Sequence, residues 1–231
     1  MNDGRSDLGN AGRRKLDPER TRQEILAAAR EEFAEHGLSG ARVDAIAART
    51  NTVKRMIYYY FGSKEGLYLA VLEEAYADIR RFEDHLNLDR FPPVEALRRL
   101  VEFTFDYDEA HPDFIRLVSN ENMHHAEHMA RSATIRDLNR GVIKMLERVL
   151  DRGKREGVFR QSVDPVDVHL MISSFCFFRV SNRYTFGALF DRDLSAPALC
   201  LHHKRMLTNA VLNLLDVRDS PAASRRGAKA A

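Results

Sequence analysis

Residues 42–64, RVDAIAARTNTVKRMIYYYFGSK, restrict what this chain can fold into more than any other stretch. Val43, Ile46 and Ala47 repeat at i, i+3 and i+4, the mark of a short helix with one buried stripe. A break falls near Asn51 and Thr52, and asparagine tolerates the left-handed backbone that such a turn demands. A second helix is predicted from about Val53 to Tyr60, with Ile57 inward and Lys54, Arg55, Met56, Tyr58 and Tyr59 outward. No acidic residue occurs from Ala45 to Lys64, whereas Arg49, Lys54, Arg55 and Lys64 are basic. Together these features predict a helix-turn-helix with a face suited to phosphate.

Two short helices around a polar turn also occur in many all-α proteins, and a basic run is often only a solvated face. The run Tyr58-Tyr59-Tyr60-Phe61, followed by Gly62-Ser63-Lys64-Glu65, favours the functional reading. A surface helix without a partner has little reason to expose tyrosines beside lysine and arginine. A helix lying on a nucleic-acid backbone has one, because a phenol hydroxyl donates to phosphate oxygen and its ring lies against sugar.

The stretch around it resembles the DNA-binding domain of the TetR family of bacterial transcriptional regulators. The resemblance is carried by IleLeuAlaAlaAlaArgGluGluPhe at 25–33, HisGly at 36–37, IleAla at 46–47, IleTyrTyrTyrPhe at 57–61 and SerLys at 63–64. It covers about residues 20–70; the remainder resembles the family in length and helical character. The resemblance implies that Lys54, Arg55 and Met56 face bases, Arg or Lys bridging guanine O6 and N7 and Met56 meeting a thymine methyl. It also implies that Tyr58 and Lys64 bind phosphate and that Tyr59 touches base edge or backbone. Ile57 and Phe61 are assigned to core. Two departures stand out. Asn51-Thr52-Val53 replaces the usual glycine, small hydrophobic and hydroxyl cap, so Thr52 is expected to take the capping role. Ala41-Arg42 replaces a hydroxyl pair, which costs a cap and offers Arg42 to phosphate. The candidate DNA-contacting set is therefore Arg42, Thr52, Val53, Lys54, Arg55, Met56, Tyr58, Tyr59 and Lys64.

Taken in order, residues 1–16 lack periodicity and are expected to form a disordered arm, in which Arg13, Arg14 and Lys15 would meet phosphate or water. Asp17-Pro18-Glu19 starts a helix that Gly37 ends, glycine taking the left-handed position beyond the last turn. Ser63 caps a fourth helix running to about His85, a connector between the two halves. After the linker 87–93, helices are expected at about 94–110, 112–125, 134–156, 165–184 and 197–216, and the tail 218–231 is expected to be disordered. The fold class is all-α: a helix-turn-helix domain at 17–62 joined to a larger ligand-binding and dimerisation domain at 63–217.

Net charge is only +2, so nucleic-acid affinity must come from local placement of charge. Two cysteines, Cys176 and Cys200, are too few for a disulfide framework and suit a reduced, cytoplasmic protein. No apolar run approaches the ~18 residues of a membrane span. No phosphate-binding glycine loop, nucleophile elbow or HExxH appears, so an enzyme is not expected, nor is a cofactor.

A single helix-turn-helix reads few base pairs, so a double-stranded DNA operator calls for a homodimer. The last two long helices offer apolar stripes: Val168, Met171, Ile172, Phe175 and Phe178 in one, and Leu199, Met206, Leu207, Ala210, Val211, Leu214 and Leu215 in the other. Each stripe equally suits intrachain core. Family resemblance further implies a small-molecule effector among the middle helices. Phe103, Tyr107, Asn120, Asn122, His124, Phe175, Phe178 and Asn182 are the candidate lining, a mix of rings and amides that suits a partly apolar organic molecule. Two groups, Glu121 with His124 and His128, and Cys200 with His202 and His203, raise metal sensing as an alternative. They form no closed set of four ligands, and no metal site is assigned. An architectural DNA-binding role is a further alternative.

Overall fold

In the computed structural model, residues 17–50 and 52–217 are described; the expected arm, the expected tail and Asn51 lie outside them. Helix α1 (Pro18–Gly40) begins as the sequence requires, with the Asp17 carboxylate accepting from the Glu19 N–H at 3.1 Å and proline in its first turn. Its regular part stops at Gly37, but not in the expected left-handed conformation. Gly37 has φ 63° and ψ 177°, a region open essentially to glycine alone, so the site is stricter than a left-handed cap that asparagine could fill.

Helix α2 (Val43–Arg49) starts without a hydroxyl cap. The buried Glu32 of α1 supplies the missing acceptor, taking the Arg42 N–H at 3.0 Å. Helix α3 (Lys54–Phe61) follows, and its N-cap is Val53, with no side-chain hydrogen bond. The expectation that Thr52 caps this helix is therefore corrected: the helix begins one residue later, and its cap residue makes no side-chain hydrogen bond among the described residues.

Helix α4 (Lys64–Asp84) is capped by Ser63, whose hydroxyl accepts from the Gly66 N–H at 3.0 Å. A Cβ on Gly66 would lie 2.2 Å from the Phe61 carbonyl oxygen, so α3 and α4 meet with their backbones in near contact. Beyond a 3-10 turn at Leu88–Arg90 come α5 (Pro93–Ala110), α6 (Pro112–Met123), α7 (Ala133–Arg155), α8 (Pro165–Ser181), α9 (Arg183–Phe190) and α10 (Pro197–Leu215). Helix α6 ends two residues early because His125 and Ala126 take positive φ. The single helix expected at 165–184 divides at Asn182, and α9 has no counterpart in the sequence reading. Among the described residues, extended pairing is limited to an isolated bridge between Phe159 and Asp216.

Two apolar cores result. One joins α1–α4 to α6, through Phe33, Ile46, Ile57, Leu67, Tyr68 and Leu72 together with Phe114, Ile115 and Leu117. The other joins α5, α7, α8 and α10 through Leu97, Val101, Phe105, Val149, Ile172, Val211 and Leu215. Arg30 reinforces the first by pairing with Asp78 of α4 at 2.9 Å and with Asp113 of α6. The N-terminal helices and the body thus share α4, with no break in packing at residue 62.

Candidate nucleic-acid interface and interior cavity

Helix α3 buries Ile57 and leaves Val53, Lys54, Arg55, Tyr58 and Tyr59 exposed, the Tyr59 side most of all at 77%. Met56 is half-buried, as is Phe61, which packs against the first core as expected and also lies beneath the Arg22 guanidinium at 5.5 Å. The Arg55 guanidinium makes no ion pair among the described residues. Lys54 is different, because its Nζ lies 3.2 Å from the carboxylate of Asp44. Asp44 stands one residue outside the acid-free stretch, so the linear pattern gave no warning of it. Lys64 sits at the α3–α4 corner with Nζ 3.4 Å from the Ser39 carbonyl oxygen. Arg42 is exposed at the α2 start and Thr52 is half-buried in the turn. The Lys54–Asp44 pair ties α3 to α2, and the Lys64–Ser39 contact ties the start of α4 to the end of α1.

The body holds a partly open cavity of about 170 Å³ among α4, α5, α6, α7 and α8. Tyr76, Phe114 and Phe177 provide rings; Arg80, Glu83, Thr104, Asp108, Asn139, His169 and Ser173 provide polar atoms. Arg80 pairs with Glu83 and donates to Asn139 Oδ1 at 3.2 Å, but its buried Nε has no hydrogen-bond partner. Asp108 is 5% exposed, and its carboxyl receives no hydrogen bond among the described residues. Burial, with Glu109 and Glu83 nearby, pushes its pKa up to about 7 despite Arg80. Burial, with Arg80 nearby, pushes the His169 imidazole below its ordinary value.

None of the eight residues expected to line a pocket lines this cavity. Tyr107 is buried with its ring stacked on His111 at 3.9 Å, and Phe103 packs beside it. Phe175 lies against the second core, Phe178 is exposed, and Asn182 sits at the α8–α9 break. Asn122 and His124 are exposed, whereas Asn120 lines a separate open cleft of about 480 Å³ beside Gly37, Arg116 and Arg183. The polar cavity residues were missed because arginine, glutamate and aspartate on helices read as solvated faces. A signal existed in Asp108, which shares a helical face with Thr104 and Val101.

The histidine groups do not converge. His128 Nδ1 lies 3.1 Å from the buried Glu121, while exposed His124 has its Nδ1 2.8 Å from the Asn120 carbonyl oxygen. His203 and Cys200 both reach Arg179, Cys200 at 3.3 Å, while His202 stays exposed.

Comparison with known proteins agrees with this arrangement. Residues 25–71 match the bacterial regulatory proteins of the tetR family, and residues 93–211 match the tetracyclin repressor-like C-terminal domain. The chain belongs to the TetR family. It is 39% identical over 184 residues to the HTH-type transcriptional repressor NicS of Pseudomonas putida, covering 80% of this chain and 87% of that protein. It is 36% identical over 140 residues to the HTH-type transcriptional repressor SCO4008 of Streptomyces coelicolor, covering 55% of this chain and 69% of that one. The crystal structure of the transcriptional regulator SCO4942 from Streptomyces coelicolor superposes with a TM-score of 0.62 at 31% identity, covering 84% of this chain and 98% of that one. In this TetR-family transcriptional regulator, α1–α3 are the helix-turn-helix unit, and no helix among the described residues is long and apolar enough to cross a membrane.

Proposed function

We propose that the protein is a transcriptional repressor that binds a palindromic operator as a homodimer and is released by a small organic effector held in the cavity among α4–α8. The observation that carries this reading is the exposed first turn of α3, with an unpaired Arg55 beside Tyr58 and Tyr59, on a chain whose relatives are transcriptional repressors. The cavity supports the second half, since α4 both lines it and begins at Lys64 beside the reading helix. An effector releases DNA only if it binds the DNA-incompetent arrangement more tightly than the competent one.

The dimer is assigned to α8–α10. Val168, Ile172, Leu207, Val211 and Leu215 of the two stripes turn into the protein's own core. Leu170, Phe178, Met206 and the α9 residues Tyr184, Leu189 and Phe190 remain exposed and are the face offered to a twin.

Fluorescence anisotropy with operator DNA, located by genome-wide footprinting, tests the reading. Arg55→Ala is expected to relax base preference at a cost of about 1–3 kcal/mol if its contact is bidentate. Lys64→Ala is expected to weaken all sequences alike and to lower the salt slope by roughly one unit. Lys54→Ala is expected to cost less than Arg55→Ala, since in free protein Lys54 is already paired with Asp44. Unchanged affinity in all three variants would remove α3 as the reading element.

A further inference from the structure

Resting on the reading of α3 as the base-contacting helix, we infer that Asp44 of α2 is a specificity-determining residue of the DNA interface, because its carboxylate turns Lys54 away from phosphate and toward a neutral base acceptor. Residues 42–64 carry five cations and a single acid, Asp44. That acid serves one cation: both of its carboxylate oxygens lie 3.2 Å from Lys54 Nζ, across the turn between α2 and α3. Arg49 pairs backward instead, with Glu31 at 3.4 Å and Glu32 at 3.8 Å, both on α1. Arg42, Arg55 and Lys64 make no ion pair among the described residues. Lys54 is thus the one cation of α3 whose charge is balanced from within the protein. The pair is 48% and 61% exposed, a setting in which it adds little to folding, so its consequence lies at the surface.

An ammonium has three donors, so Lys54 keeps at least one for an acceptor in the groove while Asp44 holds the others. Guanine O6 and N7 are neutral and can be met with the carboxylate still in place. A phosphate oxygen is anionic: it meets the charge of Asp44 together with that of Lys54, and the pair offers it almost no net attraction. Binding to arbitrary duplex rests on neutralising phosphates and releasing their counterions. A Lys54 already neutralised by Asp44 adds little to that term, yet retains its hydrogen bond for a base. Arg55, the next residue and unpaired, has no such restraint. Asp44 therefore lowers affinity for arbitrary duplex more than affinity for the operator.

Fluorescence anisotropy of the full-length protein across a salt series, with the footprinted operator and with a scrambled duplex of equal length, tests this. Asp44→Asn keeps the shape of the side chain and removes its charge. It is expected to raise affinity for the scrambled duplex about three- to fivefold at low salt and to steepen that salt slope by roughly one unit. Operator affinity is expected to change by less, so the ratio of the two falls. Asp44→Glu, which restores the charge, is expected to restore the ratio. In a Lys54→Ala background the gain from Asp44→Asn is expected to vanish, because the effect runs through Lys54. Equal gains on both duplexes, no gain on the scrambled one, or a gain that persists without Lys54 overturns the inference. So does a lowered denaturant midpoint for Asp44→Asn, which would make the residue structural. Each of these leaves the α3 reading standing as long as Lys54→Ala or Arg55→Ala alters operator affinity; if neither does, that reading fails and this inference with it.

Discussion

Gly37 and Asp108 show how single residues are set by backbone geometry and by solvation. At Gly37 the combination of φ 63° and ψ 177° excludes a Cβ on conformational grounds, and an added Cβ would also stand 3.2 Å from Asn120 Oδ1. Gly37→Ala is expected to lower stability by about 1–3 kcal/mol, read from the denaturant midpoint. Asp108 acts through protons. Its carboxyl is raised from 3.8 to about 7, so between these values the folded chain keeps a proton that the unfolded chain has lost. Folding stability from this group therefore falls as pH rises from about 4 to 7 and stays at its lowest above 7. Asp108→Asn is expected to remove that slope and to gain on the order of 2–4 kcal/mol relative to the parent at pH 8, measured by thermal unfolding across pH.

Among the elements, the turn that follows α6 depends on Glu121. This buried carboxylate accepts from the N–H groups of His128 at 3.2 Å and Met129 at 3.0 Å, and lies 3.1 Å from His128 Nδ1. It holds a segment that passes through positive φ at His125 and Ala126, while the His128 ring stands edge-on to Tyr68 of α4 at 5.3 Å. Glu121→Gln is expected to cost about 1–3 kcal/mol and to speed amide hydrogen exchange at His128 and Met129. The helices themselves were largely legible in the sequence, because Asp17-Pro18, Ser63, Pro93, Pro112, Asp164-Pro165 and Pro197 announce starts through local chemistry. What could not be read there depends on residues distant in the chain. Glu32 replaces a cap for α2, Asp44 pairs Lys54 across a turn, and Asn182 divides α8 from α9 without a proline or glycine to mark it. The exposed basic and aromatic face of α3 was legible because it is a local pattern. The cavity was not, because its polar side chains come from four helices and each looks solvent-facing on its own.

For the whole molecule, the exposed apolar residues of α8–α10 are the feature that most needs a partner. Met206 is 44% exposed, whereas Leu207, Val211 and Leu215 of the same helix are buried. Met206→Glu is expected to leave helicity intact, shift the protein to a monomer in sedimentation, and weaken operator binding at least tenfold, because one head alone reads too few base pairs. The near contact of Gly66 with the Phe61 carbonyl has a mechanical result for such an assembly. With no slack at that joint, α4 behaves as a stiff crank whose far end, at Arg80, lies about 24 Å from Lys64. A tilt of about 5° at the cavity end would carry the far end of α4 through roughly 2 Å, so a small displacement beside Arg80 is passed to Lys64 without unfolding anything.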